Sequence, residues 1–437
     1  MSKPRSAWWP SALALVASVA GLVFASLSTW DYAQHLDRQI HDVHCSFIPG
    51  MPPEKAAENA CKVAMYSPYA AILRSTYWGG IPVALFAVGA FAFFTAFSAY
   101  ALFGGWERPR RASQFLAGVS LTPVAASAVM AFLSATRLHH FCKTCVGIYA
   151  SSALLAVAAF AMVLVEGREL RAALAAVRGD APRAGAGGVP ATLVDAALDD
   201  TPPPRAPGGF LLVPTWLLVL GLCAATPALV YASALPSYAS HVNACGKLEQ
   251  PKADPGVLIH AAPAGATQPA TLFVDPLCPT CKALHQRLVA EGMYDGLDTT
   301  LVLFPLDSEC NWMIDRPLHP GSCMVSKAIL CAGDAKARAV LEWAYDNQEQ
   351  LLSLAKGGDA AGARAMVKAR FPEVDACIDT KETSQRLTKV LRYIVKNHLP
   401  VSTPQIYIGE TRLCDEDTDM GLPYAMGKLA PGLVAAK

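Results

Sequence analysis

Five uninterrupted apolar stretches dominate the pattern of hydrophobic and polar positions: residues 11–30, 78–104, 112–136, 146–165 and 210–232. Each is long enough to cross a hydrocarbon layer of roughly 30 Å as an α-helix, which takes about 20 residues. None contains Asp, Glu, Lys or Arg, and one such side chain at mid-membrane costs about 2.5–3.5 kcal/mol. The first stretch follows Lys3 and Arg5 as an export signal would, but it runs on to Trp30 without a clear small-x-small cleavage site and reads as a retained helix. Beyond residue 240 the pattern changes. "ATLFVDP" (270–276) and "TTLVLFPLD" (299–307) read as strands, and "CPTCKALHQRLVAEG" starts a helix after the first of them. A long helical stretch covers about 323–398; "TPQIYIG" and "TRLC" read as two short strands, and "LPYAMGKLAPGLVAA" as a closing helix.

That order predicts a membrane α-helical bundle, a four-helix core plus a fifth linking helix, followed by an α/β thioredoxin fold with an inserted helical subdomain. The expected divisions are a membrane domain at 1–166, a cytoplasmic linker at 167–208, the fifth helix at 209–235 and the thioredoxin-like domain at 240–437. "GDAPRAGAGGVPA" and "DDTPPPRAPGG" give the linker its flexible and partly stiffened composition. Composition agrees: 53% of residues are apolar and 16% charged, with a mean hydropathy of +0.31. A net charge of +1 offers nothing to nucleic acid. Lys3 and Arg5, Arg108, Arg110 and Arg111, and Arg168, Arg171, Arg178 and Arg183 all fall on one side of the bundle, which marks that side as cytoplasmic. The loop at 31–77, the start of the fourth helix and everything after about 235 then share the outer side. For a bacterial inner membrane this is the periplasmic, extracytoplasmic side.

Every cysteine pair lands in that same compartment, and thirteen cysteines suit an oxidising one. Cys278 and Cys281 are separated by Pro279 and Thr280 at the first turn of a helix. Unpaired N–H groups and the positive end of the dipole stabilise a thiolate there, so Cys278 is the expected attacking thiol and Cys281 the resolving one. Half a zinc site or a static disulfide is the bland alternative, but no second Cys/His pair at zinc spacing accompanies it. "RLHHFCKTCVGIYA" places a second pair, Cys142 and Cys145, at the outer mouth of the fourth helix. His139 and His140 there read as ordinary interfacial residues. Cys45 and Cys61 lie in the outer loop. Six more, Cys245, Cys310, Cys323, Cys331, Cys377 and Cys414, allow fifteen pairings. The expectation is structural bridges Cys310–Cys323 and Cys331–Cys377 stapling the helical insert. Cys223, mid-helix, reads as a small buried hydrophobe.

The soluble part, roughly 250–437, resembles the DsbA-like branch of the thioredoxin superfamily. The resemblance implies that Pro404 in "VSTPQIYIG" is a cis proline facing the dithiol, with Thr403 beside the sulfurs, the two forming a surface for substrate peptide. Thr280 departs from the His often found there, which leaves open how oxidising the pair is. The membrane part resembles the bacterial vitamin K epoxide reductase family. It has two loop cysteines, Ser67 six residues after Cys61, a Gly-Ile-Pro opening of the second helix and Cys-x-x-Cys at the outer end of the fourth. Many members carry a thioredoxin-like domain behind a fifth helix, so the resemblance spans essentially the whole chain.

That resemblance implies a quinone cofactor, ubiquinone or menaquinone, held in lipid near Cys145 with Ser67 hydrogen-bonded to it. It implies that Cys142 exchanges with Cys45 and that Cys61 takes electrons from Cys278–Cys281. The loop cysteines are sixteen apart, wider than in compact relatives, and "AILRSTYW" lengthens the stretch before Gly80, making Ser75 a rival to Ser67. The expected function is a membrane thiol oxidase that makes disulfides in exported proteins. Its partners are reduced exported proteins, quinone and the membrane. A membrane-tethered reductase or isomerase, or a non-catalytic binding module, are the competing readings. No cysteine lies in the inner loops or the linker, which weighs against a reductase fed from the cytoplasm. No metal is expected.

Overall fold

The structure, a computed structural model, describes residues 8–34, 63–104, 109–177 and 211–434. Cys45, Cys61 and most of the expected linker lie outside the described residues. The chain divides into two compact units, Met1–Ile72 with Ile81–Leu235, and Leu73–Gly80 with Pro236–Lys437.

The first unit contains five helices long and apolar enough to cross a membrane. They are α1 (Trp8–Ala33), α2 (Ala84–Ala99, continued as a π-turn to Gly104), α3 and α4 (Pro109–Val119 and Leu121–Leu133), α5 (Lys143–Val177) and α6 (Leu212–Ala234). The second span begins later than the pattern of 78–104 suggests. Gly79 and Gly80 both take φ of 74°, which ends any helix, and Ile81–Pro82 (β2) pairs antiparallel with Ala71–Ile72 (β1) instead. The fourth helix also differs from expectation: it does not stop at 166 but runs to Val177. "GRELRAALAAV" is rich in Arg, Glu, Leu and Ala, strong helix formers, so the first part of the expected linker continues the helix.

Two prolines shape the bundle. Pro123 cannot donate to the carbonyl four residues back, and the third span breaks into α3 and α4 at Ser120. The Thr122 hydroxyl donates to that orphaned Val119 carbonyl at 2.8 Å. Pro227 in α6 likewise frees the Cys223 carbonyl, which faces Gly89 of α2 so closely that a Cβ on Gly89 would sit 1.9 Å from it. The apolar core of this unit is aromatic: Phe91, Phe93, Phe94, Phe97 and Phe115 are all buried, and Trp216 meets Phe115 at 5.0 Å between ring centroids.

The second unit is built on a five-stranded sheet of order β3-β5-β4-β6-β7: Ile259–His260, Leu297–Leu303, Gln268–Val274, Gln405–Ile408 and Thr411–Arg412. β4 and β5 run parallel, and β6 pairs antiparallel with β4. The parallel pair needs a crossover, and α7 (Pro279–Ala290) supplies it. The helical insert is α8 (Ser322–Asp346), α9 (Gln348–Lys356), α10 (Ala360–Arg370), a single turn at Asp375–Ile378, and α11 (Lys381–Lys396). The 323–398 stretch is thus several helices. Gly333, at φ 63°, kinks α8, while Asp359 and Thr380 cap α10 and α11 through the N–H groups of Gly362 and Thr383. α12 (Leu422–Leu429) closes the fold. This strand order, with Cys-x-x-Cys opening the crossover helix and the cis peptide Thr403–Pro404 directly before β6, is a thioredoxin fold with a helical insertion.

Candidate active site: two dithiols and an apolar cavity

Neither Cys142 and Cys145 nor Cys278 and Cys281 are joined to each other as a disulfide in the structure, and both pairs read Cys-x-Thr-Cys at a helix start. Cys278 caps α7 and Cys142 immediately precedes α5, so each first sulfur lies where unpaired N–H groups and the helix dipole favour negative charge. In each the threonine hydroxyl meets the first sulfur, Thr280 Oγ1 at 2.9 Å from Cys278 Sγ and Thr144 Oγ1 at 3.0 Å from Cys142 Sγ. The hydroxyl is positioned by the helical turn itself, two residues on.

At the soluble dithiol the two sulfurs are driven apart in acidity. Cys278 is lowered to about 5, chiefly because the Cys281 thiol hydrogen-bonds to it, with Thr280 adding to the effect against the opposition of burial. Cys281 is fully enclosed, and burial pushes its pKa up. The Thr403 carbonyl lies 3.6 Å from Cys278 Sγ and accepts a hydrogen bond from the Thr280 hydroxyl at 3.2 Å. Thr403 and cis Pro404 therefore stand beside the attacking sulfur. Behind it lies Asp275, fully buried. Its carboxylate accepts from the N–H groups of Leu277 and Leu306 at 2.8 and 2.7 Å and from His319 Nδ1 at 2.8 Å. Burial works against a charge on His319, but the hydrogen bond and charge of Asp275 hold its pKa above the ordinary value. Asp275 and His319 escaped the sequence reading, because their meeting depends on the loop between β5 and α8.

In the first unit a cavity of about 390 Å³ opens beside the membrane dithiol. Cys142, Cys145, Ser67 and Tyr149 line it together with Phe86, Phe91 and other apolar side chains. Ser67 is nearly buried and donates to the Ala64 carbonyl at 2.7 Å. Its rival Ser75 is elsewhere: it belongs to the Leu73–Gly80 segment, where a Cβ on Gly427 would lie 3.5 Å from its own Cβ. Tyr149, one turn past Cys145, is a cavity residue that sequence reasoning missed, since a tyrosine near a membrane interface needs no special role. His139 and His140 do not line the cavity. The remaining described cysteines form three bridges: Cys310–Cys323, Cys331–Cys377 and Cys245–Cys414. Cys223 is free and half-buried.

The membrane half now has a relative. Residues 12–160 match the model of the Vitamin K epoxide reductase family. Within the matched residues lie Ser67, Cys142, Cys145 and Tyr149 of the cavity. Among solved structures, the catalytic domain of Proteus mirabilis ScsC is similar at 19% identity, with a TM-score of 0.27, over 45% of this chain and 97% of that one. Proteus mirabilis ScsC in a transitional conformation is similar at 17% identity, with a TM-score of 0.29, over 51% and 93%. No curated protein matches the chain. A membrane region that matches the Vitamin K epoxide reductase family model and carries one Cys-x-x-Cys pair, joined in one chain to a thioredoxin fold that carries another, marks the protein as a membrane oxidoreductase acting on thiols.

Proposed function

We propose that the protein is a thiol oxidase of the bacterial cytoplasmic membrane that makes disulfides in exported proteins and hands the electrons to a quinone, with its thioredoxin-like domain on the periplasmic side. The observation that carries this is the apolar cavity at Cys145. A site of this size, with mainly apolar walls and the Ser67 and Tyr149 hydroxyls among its polar groups, suits a lipid-soluble ring. Ubiquinone or menaquinone bound there would accept two electrons and two protons.

The chain's own part begins in water. One thiolate of a reduced exported protein attacks Cys278, forming a mixed disulfide and releasing Cys281. Its second thiolate then attacks the substrate sulfur of that mixed disulfide and displaces Cys278, so the substrate leaves as a disulfide and Cys278 and Cys281 become a dithiol. The low pKa of Cys278 makes it a good leaving group in that exchange. Thr403 and Pro404 hold the substrate backbone beside the sulfur. The dithiol then reduces Cys45–Cys61, with Cys61 the sulfur attacked, and Cys45 in turn reduces Cys142–Cys145. Cys142, capping the helix, receives the attack; Cys145 faces the cavity, and Ser67 orients the bound ring. Each exchange moves two electrons and two protons from one sulfur pair to the next. The bridges Cys310–Cys323, Cys331–Cys377 and Cys245–Cys414 stay outside the relay as structural links.

Reconstitution tests the scheme. Purified protein in lipid with a quinone and a reduced dicysteine peptide should consume both in equal amounts, and Cys145→Ala should abolish quinone consumption while leaving the first peptide turnover intact. Quinone consumption unaffected by that substitution would reject it.

A further inference from the structure

We infer that residues 73–80 are an anchor that fastens the end of the outer loop into the thioredoxin-like unit, in a socket made by Glu291, Asp417, Gly421 and Tyr238. Residues 73–78 fall within the stretch by which the sequence is lengthened before Gly80, and nothing in the thiol relay uses them. They pack as part of the second unit although some 160 residues separate them from the rest of it.

The contacts are polar, buried and matched. Arg74 and Glu291 form an ion pair with side chains 7% and 9% exposed. Glu291 ends α7, the helix that Cys278 begins, so the guanidinium also complements the negative end of that helix dipole. Trp78, four residues on, is buried, and its Nε1 donates to the equally buried Asp417 Oδ1 at 2.7 Å. The indole occupies the space over Gly421, where a Cβ would come within 2.2 Å of Nε1, and Tyr238 meets it edge-on at 5.5 Å. The segment is shaped for this on its own account. The N–H groups of Thr76 and Tyr77 both donate to the Leu73 carbonyl at 3.0 Å, and Leu73, Gly79 and Gly80 take positive φ. Arg and Trp are the residues that dominate specific interfaces. A loop covering apolar surface would have no reason to bury a matched charge as well.

The consequence rests on the proposed function. Cys61 precedes Leu73 by twelve residues, a length of chain that spans at most about 40 Å. An anchored segment keeps the loop cysteines on a short tether to the unit whose dithiol they oxidise, which raises their effective concentration there.

The test uses the full chain in lipid. Arg74→Glu and Glu291→Arg should each slow quinone reduction driven by a reduced peptide by about tenfold as the tether lengthens, and the two together should recover most of the rate. Dithiothreitol, which reduces the loop disulfide directly from water, should drive all variants at the wild-type rate. Wild-type rates with peptide in both single variants overturn the anchor. So does equal slowing with peptide and dithiothreitol, or failure of the double exchange to recover. A separate readout needs no redox activity: trypsin should cut after Arg74 slowly in the wild type and much faster in Glu291→Gln and in Trp78→Phe. Equal cutting overturns the anchor whether or not the quinone reaction occurs, while absence of quinone reduction in the wild type with both donors counts against the proposed function alone.

Discussion

At Cys278 a single sulfur concentrates the chemistry of the soluble domain. Its pKa of about 5 lies well below that of an ordinary thiol, so the reduced, folded protein carries a thiolate at neutral pH. The stabilisation this gives the reduced form is fully present above the ordinary thiol pKa and is lost as pH falls through about 5. Alkylation of Cys278 by iodoacetamide should therefore titrate with a midpoint near that value and stay flat between about pH 7 and 9. Thr280→Val removes the hydroxyl 2.9 Å from the sulfur. Loss of one hydrogen bond to a charged group should raise the midpoint by about one to two pH units, readable from the same titration. The Thr280 hydroxyl thus supports the thiolate with a dipole and no charge. The sequence shows the threonine; that its hydroxyl turns back on the sulfur is visible only in the structure.

Helices and strands follow the hydrophobic pattern closely, and the exceptions sit at prolines and glycines. The five spans, the strand pairs and the Cys-x-x-Cys helix all appear near their expected places because periodicity and apolar run length depend only on local sequence. The break at Ser120, the late start of α2 and the partition of the 323–398 stretch depend on how freed carbonyls and positive φ values are accommodated by neighbours. The contact of Gly89 with the carbonyl that Pro227 frees in α6 gives a direct prediction. Gly89→Ala would place a Cβ 1.9 Å from that oxygen, forcing the two helices apart. The melting temperature of the protein in detergent should fall by several degrees, as a core overpacking cost of about 1–3 kcal/mol implies. Gly118→Ala, with nothing within 4 Å of the added carbon, is the matched control and should not lower it.

For the molecule as a whole, the three bridges constrain the second unit over very different lengths of chain. Cys310–Cys323 closes a separation of 13 residues, Cys331–Cys377 one of 46 and Cys245–Cys414 one of 169. Loop-closure entropy ranks their stabilising effects in that order, from about 3 to about 5 kcal/mol. Replacing Cys245 and Cys414 by alanine should therefore lower the urea midpoint of the second unit more than replacing Cys310 and Cys323. By itself the sequence determined the membrane spans, the strands, the positions of both Cys-x-x-Cys motifs at helix starts and the thioredoxin order, since each rests on neighbours along the chain. Only the tertiary structure decided that Ser67 rather than Ser75 lines the cavity, that Tyr149 joins it, that Asp275 meets His319 behind the dithiol, and that Arg74 and Trp78 are buried against Glu291 and Asp417. Those contacts join residues up to 339 positions apart, and no local pattern of polar and apolar residues encodes which distant partner a side chain will meet.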